Sequence, residues 1–227
     1  MTNSHLATQQ TQTKLFSAVL GILSILSILV MFHHPSVSAD DIQLQIKEIN
    51  DEAKLNTWVH GVLIAFVMLI NICLTYYSKL RGFHHTSVLM ATVIYWVASA
   101  VMILAALLSG IIGPQLAEFY QSASSNEAVV FRGVFSLKSL MNQAYANFAV
   151  FCWAAAIALW SVDMLRFSAM AKWIGVMSLA AAVMIALSLL IGWVSLNVFG
   201  MTVILVVISA WQLAVAGLMW FSQQISA

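Results

Sequence analysis

Six stretches of about twenty residues in this chain carry almost no charge, and a bilayer is the solvent that asks for that pattern. They run over 15–32, 57–78, 87–112, 140–163, 173–191 and 198–221. An isolated run of this kind crosses hydrocarbon as a helix, because each backbone N–H and C=O must then be satisfied within the segment. The sequence therefore predicts an all-α polytopic membrane bundle of six transmembrane helices. It forms a single domain from 15 to 227 behind a polar tail, 1–14. Composition agrees: 62% of the 227 residues are hydrophobic and 7% charged, where a soluble domain carries about 25% charge. A net charge of +1 leaves no basic surface for nucleic acid.

Six spans put both termini on one side. Lys14, Lys79, Arg81, Arg166 and Lys172 lie there with one acid, Asp163. The two short loops on that side are basic, which predicts a cytoplasmic location for both termini in a bacterial cytoplasmic (inner) membrane. Trp58 and Trp193 then fall at the outer interface, and Trp160, Trp173 and Trp220 at the inner one. The first run has a competing reading as a secretory signal, since Lys14 precedes it and Val37-Ser38-Ala39 follows before Asp40. The run is longer than the usual signal core of about 7–15 residues, which favours a transmembrane helix.

Two helices outgrow the membrane. Ser124 and Glu127 have capping-box spacing, and no proline interrupts the chain from there to Arg166. The first part of this helix, 125–139, holds Arg132 and Lys138 and is too polar to be buried in lipid. Asn142, Gln143 and Asn147 follow at the boundary. Lys138, Asn142 and Tyr145 share one face, with Gln143 and Asn147 roughly 100–150° around it. Amides on two faces predict protein or water on both sides, at the centre of the bundle. Ser38 and Asp41 form a second capping-box pattern ahead of an extension over 39–56. There Ile42, Ile46, Ile49, Ala53, Asn56 and His60 recur at spacings of four and three, a packing seam on an otherwise charged helix. Each helix would run about 40 residues, or about 60 Å. The seam is expected to pack on Ala128, Phe131 and Phe135 in a small outer helical head, with Lys138 or Arg132 near Glu48 or Glu52. The competing reading makes 114–136, after a third span closed by Gly113-Pro114, an ordinary loop with a short surface helix.

Chemistry is sparse. His33, His34 and His60 sit at the outer boundary beside acidic residues, a set that suits a transition metal or haem. Their spacing matches no established ligand motif, and boundary histidines are commonly structural. His84 and His85 lie in a basic loop and read as solvated. Asn142, Gln143, Asn147 and Asn71 serve as interhelical hydrogen-bonding groups. Functionally, the first three would line an outward-facing polar pocket for a lipid headgroup, quinone or small solute, with His60 and Lys138 at its mouth. Gln212, deep in the sixth span, has the same two readings. Asp163 and Arg166 are expected to snorkel or to pair with each other. No charge falls at the middle of any span, which disfavours ion-coupled transport. No nucleophilic triad or phosphate loop is legible, which argues against an enzyme. Cys73 and Cys152 read as small buried hydrophobes.

The His34-Pro35 pair, the Trp58-Val59-His60-Gly61 entry to the second span and Asn147 in the fourth resemble a broad group of uncharacterised six-span bacterial inner-membrane proteins. The resemblance implies fold and topology only, and the acidic seam over 40–54 is more developed than in that group. Three functions fit. The first is a non-catalytic binding or accessory subunit that packs as a homo-oligomer or within a larger membrane complex. The second is a metal- or haem-binding redox subunit using the outer histidines. The third is a carrier of membrane lipids or small solutes with an outward polar pocket.

Overall fold

The computed structural model describes residues 2–36 and 41–221, with side chains from residue 7. Every regular element in these residues is helical: α1 (Thr2–Phe32), α2 (Ile42–Asp51), α3 (Ala53–Arg81), α4 (Thr86–Leu107), a π-turn (Leu108–Ile112), α5 (Gly113–Ser122), α6 (Ser125–Met164), α7 (Ala169–Leu190) and α8 (Val198–Phe221). Six of the helical segments are long and apolar enough to cross a membrane. Ser38 and the Val37-Ser38-Ala39 motif lie outside the described residues.

α6 organises the bundle. Glu127 accepts from both the backbone N–H and the hydroxyl of Ser124 at its start, and the helix runs 40 residues without interruption. It packs most extensively on α4 and then on α7, while α1 pairs with α8. Gly175 lets α7 approach closely, because a Cβ there would stand 2.8 Å from the Ser161 carbonyl oxygen on α6. The core centres on aromatic rings. Trp160 is 1% exposed, stacks on Trp211 with ring centroids 5.4 Å apart, and donates its indole N–H to Ser78. It therefore belongs to the core and not to the inner aromatic belt predicted for it, whereas Trp173 and Trp220 are exposed. Gln212 ties three helices together. Its carbonyl accepts from Ser24 on α1, and its amide donates to the Tyr95 hydroxyl on α4. Ser99 donates to Asn71, joining α4 to α3. Cys73 is buried, Cys152 is half-buried, and both are free.

Several local expectations change. α1 begins at Thr2 and runs through the polar segment without a break. The Thr11 and Thr13 hydroxyls bond back to carbonyls four residues earlier. Asp41 caps α2, with its carboxylate accepting from the Gln43 and Leu44 N–H groups. The second long helix is broken at Glu52, whose φ of −100° and ψ of 13° leave the helical region. The break turns the apolar face of α2 onto α5 while α3 follows the bundle. Ile46 is fully buried with Ala117 and Phe135, flanked by Ile42, Ile49, Leu116 and Tyr120. Of the α6 residues expected against this seam, only Phe135 joins it. Phe131 stacks on Phe119 instead. Nor does the third span stop at Gly113-Pro114. It passes through the π-turn into α5, where Pro114 occupies the first turn, a position that needs no N–H donor.

Asp163 pairs with a different base from the one expected. The Arg81 Nε donates to Asp163 Oδ2 at 2.9 Å, and the Arg81 Nη2 lies 2.8 Å from the same oxygen. The Phe167 ring covers the guanidinium at 3.3 Å. Both side chains are almost wholly buried, whereas Arg166 is exposed.

Candidate functional site

The π-turn shapes the site. Widening one helical turn displaces carbonyls from the regular ladder, and such turns recur at functional positions. Here Asn56 donates to the Ser109 carbonyl at 3.1 Å and Thr57 to the Gly110 carbonyl at 2.8 Å. Gly110 itself lies directly against His60, in space that a Cβ would occupy. The contact brings α3 and the π-turn together and fixes the His60 ring, which is buried.

A cavity of about 330 Å³ opens beside this contact, between α1, α3, α4, α6 and α8. Its character changes along two helices. On α3, Asn56 and His60 are followed on the same face by Leu63, Ile64 and Val67. On α6, Asn142 and Gln143 give way to Ala146 and Trp153. Each series spans twelve residues, or about 16 Å of helix from end to end. Glu48, Glu52, His34 and Asn197 belong to the polar end, and Met102, Ile103 and Leu205 to the apolar walls. The result is a trough with hydrogen-bonding groups at one end and hydrocarbon along its length.

At the polar end two imidazoles face one another. The Nε2 atoms of His34 and His60 are 3.3 Å apart, with the rings at 67°. The Nδ1 of His34 lies 2.7 Å from the Pro35 carbonyl oxygen, and that of His60 lies 2.9 Å from the Asn56 carbonyl oxygen. A carbonyl only accepts, so each Nδ1 carries the hydrogen and donates it. Burial holds the His34 imidazole below its usual pKa, against the opposing effect of the Pro35 carbonyl.

The predicted site residues separate into two groups. His34, His60, Asn142 and Gln143 all line the cavity. Gln143 also donates to the Leu196 carbonyl in the loop before α8. Lys138 is buried behind the wall, its Nζ 4.3 Å from the centre of the Phe135 ring and beside Gly113. Asn147 turns back to the Gln143 carbonyl of its own helix. His33 is exposed and bonds to the Leu29 carbonyl. Sequence reasoning missed the lining roles of Asn56, Glu48, Glu52, Trp153 and Asn197. Asn56 was visible as the polar end of the isoleucine seam, one turn before His60. The π-turn that selects it has no sequence signature.

Haem does not fit the histidine pair. Two axial imidazoles on one iron would stand about 4 Å apart, at twice the usual metal–nitrogen distance, with the porphyrin plane between them. The two rings here are in edge contact, with centroids 4.7 Å apart. Among the described residues, no group of three or more His, Cys, Asp or Glu side chains is arranged to hold a metal. Comparison with protein families, with curated proteins and with solved structures finds no match for this chain.

Proposed function

We propose that this chain is a non-catalytic integral membrane protein that binds an amphiphile, a membrane lipid or lipid-soluble quinone, in the trough beside α3 and α6. The observation that carries this reading is the polarity gradient along the cavity. A small polar solute gains nothing from Leu63, Ile64, Val67 and Trp153, and a plain hydrocarbon gains nothing from Asn142, Gln143 and Glu52. A molecule with a polar head and an apolar chain uses both ends. The volume, about 330 Å³, falls within the range of about 300–1,000 Å³ common for small-molecule sites.

The reading places the chain in a bacterial cytoplasmic membrane with both termini cytoplasmic and the polar mouth of the trough facing outward. There α2, α5 and the start of α6 make a small outer head. This arrangement is supported by the basic short loops. It is favoured over an accessory subunit without a ligand, because exposed apolar side chains are what any lipid-facing surface carries. The trough is a more specific feature.

The test is extraction and mass spectrometry of small molecules that co-purify with the protein in mild detergent. The wild type is expected to retain one amphiphile class near one per chain. Ala106→Phe, which fills the trough from α4, is expected to lose it while keeping the helical circular dichroism and monodisperse elution of the wild type. Retention by the variant, or bulk-membrane lipid in no fixed ratio with either protein, would refute the proposal.

A further inference from the structure

The geometry points to a zinc-class metal site formed by the Nε2 atoms of His34 and His60 at the mouth of the trough. This inference is independent of what occupies the trough. Both rings give their Nδ1 hydrogen to a backbone carbonyl, Pro35 for one and Asn56 for the other. A neutral imidazole has only one such hydrogen. Each Nε2 therefore presents a lone pair, and the two Nε2 atoms lie 3.3 Å apart with the rings in edge contact. That arrangement is repulsive unless a positive centre lies between them, either a shared proton or a metal ion. Metal-bound histidines characteristically donate the other ring N–H to a carbonyl or carboxylate, which orients the ring. Here both rings are oriented in this way.

The separation can be set against the common metal geometries. With metal–nitrogen bonds of about 2.0–2.1 Å, two ligands at the tetrahedral angle stand about 3.3–3.4 Å apart. Adjacent ligands of a square-planar ion would stand about 2.9 Å apart, and those of a linear one about 4 Å, from the same bond lengths. The 3.3 Å separation accommodates tetrahedral coordination, the geometry of Zn(II), as it also accommodates a proton shared between the two nitrogens. Imidazole is among the donors zinc prefers. No third protein ligand is in place among the described residues. The other two positions fall to solvent or to an oxygen donor entering the cavity, which Glu52 also lines. An open site of this kind suits an anionic headgroup or a second ligand from outside.

The experiment uses the full chain, purified without a histidine tag, stripped with chelator and titrated with ZnCl2. Isothermal calorimetry and elemental analysis measure binding, and CoCl2 provides a visible spectrum. The expected result is one Zn(II) per chain and the intense visible bands of tetrahedral Co(II). His34→Ala should weaken Zn(II) binding by at least about a hundredfold, while His33→Ala leaves it unchanged. His34 follows α1 and is only half-buried, so its removal keeps the test usable even where His60→Ala fails to fold. Absence of stoichiometric zinc in the wild type would overturn the site, as would undiminished binding by His34→Ala or an octahedral Co(II) spectrum. In the first case the facing nitrogens share a proton instead.

Discussion

The buried Arg81–Asp163 pair makes a quantitative prediction. Its two side chains are 6% and 1% exposed, so solvent screens their interaction little. One carboxylate oxygen, Oδ2, takes both the Nε hydrogen bond and the Nη2 contact, while Oδ1 is buried without a partner. The pair is thus less than a full two-pronged clamp. Asp163→Leu leaves a guanidinium whose remaining cover is the Phe167 ring. Removing one partner of a buried pair costs about 3–5 kcal/mol, and replacing both with apolar residues is often near neutral. At about 2–4 °C per kcal/mol for a chain of this size, Asp163→Leu should lower the thermal midpoint in detergent by about 6–20 °C. Arg81→Leu/Asp163→Leu should recover most of that loss. The assay is a double-mutant cycle on thermal or detergent-induced unfolding. A double variant as unstable as the sum of the singles would refute the reasoning, as would a single variant within about 1 kcal/mol of wild type.

Other substitutions probe the remaining elements. Trp160→Ala removes the largest fully buried side chain of the aromatic core and should cost about 3–5 kcal/mol in the same unfolding assay. Asn56→Ala leaves the Ser109 carbonyl of the π-turn without its side-chain donor and should destabilise by about 1–3 kcal/mol, with faster amide exchange near residues 109–112. Gly110→Val places a branched side chain against the His60 Cβ, next to the α3 backbone, and should both lower the unfolding midpoint and abolish ligand retention, read by thermal denaturation and co-purification. Ile46→Asn should detach α2 from α5 and expose the break at Glu52 to limited proteolysis, leaving the main thermal transition in place.

The spans were legible because hydrocarbon imposes a length and a lack of charge that no other solvent demands. The unbroken α6 was equally plain, from its capping box and the absence of proline. The breaks were not. Glu52 interrupts a proline-free run just after Asn50 and Asp51, both weak helix formers, and the packing of the isoleucine face on α5 goes with the bend. The π-turn is set by how closely Gly110 approaches His60, a property of two helices and not of either sequence. Trp160 and Asp163 were assigned to a membrane boundary by position along the chain. Their partners, Ser78 and Arg81, lie on α3, and pairing at such sequence distance has no local signal. His60, Asn142 and Gln143 were identified as pocket residues from their place at the boundary. Lys138 and Asn147 shared that place but point elsewhere, because helical phase and neighbouring glycines decide which side chain reaches the trough.

The most direct measurement of the amphiphile-binding proposal is an experimental density map of the protein grown from a lipidic mesophase. The account predicts continuous elongated density in the trough, its head near Asn142 and Gln143 and its chain along Leu63, Val67 and Trp153. A trough closed by side chains, or one holding only ordered water, would contradict it.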